Sequence, residues 1–372
     1  MLAAGLRYFA DLELSSEILT ASGGGVVELQ RRPMGPIAVI TPWNGPLSMF
    51  AMKVPAVLAA GNTAVVKPSN FTPLSTLRLG EILLDVFPPG VLNVVSGKND
   101  QLGILMTEHP VPRKVTLTGS VETGKLVAAS TASDLKRLTL ELGGNDPAIV
   151  MDDAVVSEIA DSLFWGAFRN CGQFCAAVKR IYVPRSMEEE LLDRFAAIAR
   201  SVVVGDGLDP MTQIGPINNE PQLRRVESLR DDAVARGGRM VFGGSRMARP
   251  GFFFEPTVVA NLPDEARLVM EEQFGPILPV LPYDSLDEAI SRANDTRFGL
   301  GASVWTGDAT RGALVADMLE AGMTWVNAHG LIGFPVEPMS GAKWSGLGVE
   351  SGVWGMLGST ELRIAHRAAP QQ

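Results

Sequence analysis

Short runs of branched and small apolar residues alternate, along most of this chain, with stretches whose apolar positions recur every three to four residues. Residues 37–41, 64–67 and 91–95 read as strands, and 47–60 and 75–86, which lie between them, read as helices. Upstream, the apolar spacing over 1–20 predicts a helix that the run Gly23-Gly24-Gly25 should break, and 26–31 then reads as a strand. Past the turn Leu142-Gly143-Gly144-Asn145 a second series begins. Its expected strands are 148–151, 180–183, 258–259, 278–281 and 302–305, separated by helices such as 188–203 and 223–236. Strand, helix and strand in repetition make parallel sheets covered by helices, so the fold class is α/β. No repeat or low-complexity tract interrupts the pattern.

Length and composition sharpen this picture. The chain has 372 residues, enough for two or more packed units, and its 46% apolar and 20% charged content is that of a globular protein with ample core. Lys plus Arg total 32 against 41 Asp plus Glu, a formal charge of -9. That balance argues against a nucleic-acid partner, whose phosphates need clustered cations. Three histidines and two cysteines make a metal site improbable, and the Cys171 and Cys175 pair cannot form a disulfide framework. With no secretory leader and no apolar run of about 20 residues, a cytoplasmic location without membrane contact is expected.

Several segments carry candidate chemistry. Gly172-Gln173-Phe174-Cys175 places a cysteine behind a glycine turn, expected at or near a helix start, where backbone donors favour the nucleophilic thiolate. Taken alone, a free cysteine is more often a small buried packing residue. Glu141, between Leu140 and Leu142, is a candidate general base whose apolar neighbours would raise its pKa; an isolated Glu at a turn is more often a surface carboxylate. Asn44, between Pro42 and Pro46, sits in a rigid turn from which its amide can donate to a developing oxyanion. The strand over 115–118 runs into Gly119-Ser120 and then a helix, a junction that presents free N–H groups to a phosphate. Residues 119–125 nearly spell a phosphate-loop signature, but Leu126 lacks the hydroxyl that would meet Mg²⁺.

In this order the segments resemble the aldehyde dehydrogenase superfamily, over roughly residues 6–366. The resemblance rests on Pro42-Trp43-Asn44-Gly45-Pro46, Gly61-Asn62-Thr63-Ala64-Val65-Val66-Lys67-Pro68-Ser69, Leu117-Thr118-Gly119-Ser120, Leu140-Glu141-Leu142-Gly143-Gly144, Gly172-Gln173-Phe174-Cys175, Glu271-Glu272-Gln273-Phe274-Gly275-Pro276 and Ser340-Gly341-Ala342-Lys343-Trp344-Ser345-Gly346. It implies a Rossmann-like cofactor domain over 1–142, with 25–33 as an oligomerisation strand, an α/β catalytic domain over 143–336, and a tail over 337–372 that returns to the cofactor domain and to assembly. It implies that Cys175 attacks an aldehyde, that Asn44 holds the oxyanion and that Glu141 activates water, giving a carboxylic acid. NAD or NADP would lie on Trp43, Lys67, Ser69, Asn70, Gly119, Ser120, Leu142, Glu272 and Phe274, with Lys67 and Ser69 at the adenosine, Ser120 at the pyrophosphate and Glu272 at the nicotinamide ribose. By position, Met49, Met52, Phe168, Arg169, Phe174 and Phe334 would line the substrate tunnel, and the subunits would pair as a dimer or tetramer.

Three departures from the family pattern qualify the resemblance. Asn70 stands where NAD-preferring members carry Glu, which leaves NADP open. Pro338-Met339-Ser340-Gly341 replaces Pro-Phe-Gly-Gly. The pattern is also expected to begin about one hundred residues earlier, nearly a domain in length. A noncatalytic shortened homologue and a phosphate-loop nucleotide-binding protein are the alternative readings.

Overall fold

The computed structural model describes residues 2–20 and 25–368. Gly23 and Gly24, expected to break an opening helix, lie outside the described residues. The chain divides into two compact units: the first is residues 1–141, 332–340 and 347–372, the second residues 142–331 and 341–346.

The first unit is built on seven strands from its long segment: β1 (Glu17–Thr20), β2 (Val26–Pro33), β3 (Pro36–Ile40), β4 (Thr63–Lys67), β5 (Leu92–Val94), β6 (Lys114–Thr118) and β7 (Arg137–Glu141). Five of them form a parallel array in the order β7-β6-β3-β4-β5, with Ile37 opposite Ala64 on one side of β3 and Lys114 on the other. The middle of β3 is buried, as befits a parallel strand covered on both faces. Helices Pro46–Ala59 and Leu74–Ile82 lay Phe50, Val54, Val57 and Leu79 over Ile37, Val39, Ala64 and Val66. Pro46 falls in the first helical turn, where its missing N–H costs nothing. The second helix stops at Ile82, short of the expected residue 86.

The start of the chain differs from its expected form. Only Leu2–Ala10 is helical, and Glu17–Thr20 is strand, because β2 offers it a ladder: Glu17 faces Leu29 and Thr20 faces Val26. Thr360–Arg367 pairs with the other side of β2, which completes an antiparallel three-stranded sheet. Asn62 ties this region together. Its Oδ1 accepts from the Met34 and Gly35 amides at 2.7 and 3.0 Å, and its Nδ2 donates to the carbonyls of Val57 and Ser359 at 3.1 and 2.8 Å. One motif residue thus satisfies four backbone groups far apart in sequence.

The second unit has a seven-stranded sheet. Strands β8 (Pro147–Val150), β9 (Arg180–Pro184), β10 (Arg239–Phe242), β11 (Thr257–Ala260) and β12 (Ile277–Tyr283) run in the order β10-β11-β12-β9-β8, continued by Gly301–Trp305 and Met323–Val326. Only the β10 edge is antiparallel. Helices Val156–Phe168, Glu188–Ser201 and Glu220–Ala235 pack Phe164, Phe195 and Val226 into a continuous core with Phe254, Leu278 and Trp305. Among the described residues, no helix is long and apolar enough to cross a membrane.

Candidate active site

In the first unit the candidate residues gather at the carboxyl ends of the parallel strands. The chain order reverses between β3 and β6, and that edge is where open α/β sheets hold ligands. Asn44 follows β3 in a turn pinned on both sides: the Thr41 amide donates to the Lys67 carbonyl at 3.0 Å, and the Thr72 hydroxyl to the Trp43 carbonyl at 3.2 Å. Lys67 ends β4. Burial holds its pKa below the usual lysine value, and its Nζ donates to Asn99 Oδ1 at 2.6 Å and the Pro68 carbonyl at 3.3 Å. Ser69 is buried, and the Phe71 amide donates to its hydroxyl at 3.3 Å; Asn70 is exposed.

Gly119 and Ser120 form the junction between β6 and helix Val121–Thr131. Ser120 is the N-cap, accepting from the Thr123 amide at 3.2 Å. The helix begins at once, so Gly124 and Lys125 lie inside it. A phosphate loop needs those positions to wrap an anion before the helix starts, and the near-match over 119–125 therefore does not build one. What remains is a helix N-terminus at the switch point, suited to one phosphate group.

Glu141 is the last residue of β7 and, against the common expectation for a turn carboxylate, is 2% exposed. Among the described residues, neither carboxylate oxygen has a hydrogen-bond partner. Burial, and secondarily the like charge of Glu350, push its pKa well above the ordinary value, with Lys53 opposing. The sequence reading missed those neighbours. Lys53 pairs with Glu350 and donates to Thr116 Oγ1 at 3.1 Å, while the Thr116 hydroxyl donates to Glu350 Oε1 at 2.6 Å. A cavity of about 10 Å³ lies among these residues and Thr139. Lys53 did carry a signal: it is a lone charge in the otherwise apolar helix Pro46–Ala59. Glu350 had none, being 297 positions away. Met339, in the departure from Pro-Phe-Gly-Gly, is buried and exchanges backbone hydrogen bonds of 2.8 Å with Glu350.

In the second unit Cys175 does not stand at a helix start, as expected. Helix Val156–Phe168 ends before it, and Asn170, Cys171 and Gly172 follow in left-handed conformations at φ 52, 59 and 68°. A Cβ on Gly172 would collide with the Gly275 carbonyl, so only glycine fits. Gln173 fixes the bend: its Nε2 donates to the Asn170 carbonyl at 3.1 Å and its Oε1 accepts from the Asn218 amide at 2.8 Å. The turn leaves Cys175 partly exposed, whereas Cys171 is sealed.

Other expected residues of this unit surround the same loops. Glu272 Oε1 accepts from the Gly144 amide at 3.1 Å and from Lys179 Nζ at 3.2 Å, and its other oxygen lies against the bare Cα of Gly143. Phe274, at φ 47°, has the Lys179 ammonium 5.0 Å from its ring centroid. Leu142 is buried, its amide donating to the Ser345 carbonyl at 2.9 Å. Of the tunnel candidates, Arg169 lies over the Phe174 ring at 5.4 Å, but Phe168 packs into the core 4.6 Å from Phe164. In the first unit Met52 is buried, Met49 is half-buried, and Phe334 packs at Gly5.

The two thiols should differ sharply in reactivity. Burial pushes the Cys171 thiol up to about 12, which keeps it neutral. Brief iodoacetamide treatment of the native protein near pH 8, read by peptide mass spectrometry, should modify Cys175 and spare Cys171; equal labelling would contradict the burial difference.

Comparison with known proteins accords with this geometry. The aldehyde dehydrogenase family model matches residues 2–365. A betaine aldehyde dehydrogenase of Cereibacter sphaeroides is 41% identical over 354 residues, 94% of this chain and 72% of its own length. Retinal dehydrogenase 2 of Mus musculus is 37% identical over 371 residues, 99% of this chain and 71% of its own. A crystal structure of betaine aldehyde dehydrogenase from Staphylococcus aureus in complex with NAD+ superposes with a TM-score of 0.96 at 33% identity, covering 100% of this chain and 77% of that one. The chain belongs to the aldehyde dehydrogenase family and oxidises an aldehyde with NAD or NADP.

Proposed function

We propose that Cys175 is the nucleophile, Asn44 the oxyanion donor and Glu141 the base that activates water, the first unit holding the cofactor and the second the nucleophile. The observation that carries this reading is the Glu141 carboxylate, buried at 2% exposure with both oxygens unpartnered among the described residues and its pKa raised by burial. A carboxyl group in that state gains nothing for stability, and its raised pKa makes it a better proton acceptor than an ordinary carboxylate.

The Cys175 sulfur adds to the aldehyde carbon, and the oxyanion of the thiohemiacetal is held by the Asn44 amide and the Cys175 backbone N–H. When bound, the nicotinamide supplies the acceptor for the hydride that this carbon loses. Glu141 then removes a proton from the water that attacks the thioester, which frees the acid and restores the thiol. The residues fit such a cofactor: Lys67 and Ser69 for the adenosine ribose, Ser120 at the helix N-terminus for the pyrophosphate, and Glu272 for the second ribose. We assign Trp43, Gly119, Leu142 and Phe274 to the same cofactor, and the exposed Asn70 brings no carboxylate to repel a 2′-phosphate.

The relatives named for retinal and for betaine aldehyde differ in substrate polarity, so they support an aldehyde rather than one aldehyde. Arg169 over Phe174 sets a cation beside the nucleophile turn and favours a carboxylated substrate. The three-stranded sheet leaves β1 and Thr360–Arg367 as outer strands, which supports pairing of two or four chains. Two free thiols fit the reducing cytoplasm.

Cys175→Ala should abolish NADH and NADPH formation from every accepted aldehyde. Glu141→Gln should keep the first-turnover burst and slow steady turnover by roughly 10²- to 10⁴-fold. Because folding raises the Glu141 pKa, its ionised form accumulates only above the usual carboxylate range of about 4.3; steady turnover should rise with pH through that raised value, and Glu141→Gln should lose this limb. An unaltered pH profile in that variant would refute the assigned base. Arg169→Ala should weaken kcat/KM for aldehydes bearing a carboxylate while sparing neutral ones, and identical profiles would retire the carboxylate reading. Light scattering of protein recovered from the cytosolic fraction should give two or four chains; a monomer would count against the pairing strands.

A further inference from the structure

The strand that leaves the nucleophile turn carries a lysine with no role so far. Lys179 lies four residues after Cys175, immediately before β9, and its side chain is 2% exposed. Its backbone is held from two directions: its amide donates to the Asp146 carbonyl at 2.9 Å, and its carbonyl accepts from Gln273 Nε2 at 2.8 Å. Lys179 therefore joins the glycine loop ahead of β8 to the loop that bears Glu272 and Phe274. Its ammonium sits between them, 3.2 Å from Glu272 Oε1 and 5.0 Å from the Phe274 centroid.

Taking an ammonium out of water is costly, and it persists in a protein interior where a carboxylate and other partners compensate it. Here a carboxylate and an aromatic face do so. The effect on Glu272 is directional. One oxygen is committed to Lys179 and to the Gly144 amide, and the other rests over Gly143, where any side chain would collide with it. A carboxylate free to rotate would lose that orientation each time it bound a hydroxyl pair. With one oxygen fixed by two donors, the second is presented at no such cost.

We infer that Lys179 is a positioning residue that orients Glu272 for the hydroxyls of the cofactor's nicotinamide ribose. The inference rests on the reading of Glu272 given under Proposed function. Lys179 touches neither substrate nor reacting atoms; it acts through the carboxylate it holds.

Calorimetric titration of the intact chain with NAD+ or NADP+, whichever the parent binds more tightly, tests this, with AMP as a probe that lacks the second ribose. Lys179→Met should weaken dinucleotide binding about tenfold and leave AMP binding unchanged, and Lys179→Arg should restore most of the loss. Glu272→Gln should show the same selective loss, and the double variant should bind no worse than Glu272→Gln alone, because the two residues act as one unit. If Glu272→Gln binds the dinucleotide as the parent does, the ribose reading itself fails. If Glu272→Gln is weakened but Lys179→Met is not, or if the two losses multiply, the positioning role fails while the ribose reading stands. Should Lys179→Met not fold, the same comparison runs with Lys179→Gln, and parental dinucleotide affinity in that variant overturns the inference equally.

Discussion

A buried carboxyl group beside a second acid and two buried lysines is the interaction on which the proposed chemistry turns. Glu141, Glu350, Lys53 and Lys114 place two acids and two cations in the interior of the first unit, where charge is expensive. Lys53 is committed to Glu350 and Thr116, which leaves Glu141 without a partner of its own. The arrangement costs stability. Glu141 is held there as the last residue of β7, paired with Thr118 of β6.

The second unit reaches its own chemical end by backbone conformation. Three successive left-handed residues turn the chain out of helix Val156–Phe168, and a glycine pressed on the Gly275 carbonyl lets the turn close. That bend gives two cysteines four positions apart opposite fates. Cys171 becomes core, and Cys175 meets solvent. A position near a helix end would have linked their exposures; a reversal of backbone hand separates them.

Much of this was legible in the sequence because it is local. Parallel strands covered on both faces write continuous apolar runs, so β3, β4, β6, β8 and β9 were visible within a residue or two. The motif order alone is what proposes Cys175, Glu141 and Asn44. What the sequence hid depends on pairing over distance. Glu17–Thr20 reads as helix until β2 offers it hydrogen bonds, and the last turns expected after Ile82 give way to the turns ahead of β5. The buried neighbours of Glu141 and the clasp of Lys179 on Glu272 join residues separated by 63 to 297 positions, beyond any helical or strand period.

The Asn62 clasp and the Lys53 to Glu350 pair also bear on how such a chain is made. The first unit is interrupted by the whole of the second, and both contacts need residues beyond position 349. During synthesis the ribosome delivers nearly all of the second unit before it delivers the strand that completes the three-stranded sheet. The segment before residue 142 therefore keeps an ammonium inside an apolar helix and one side of β2 unpaired until residues 350–367 have been made.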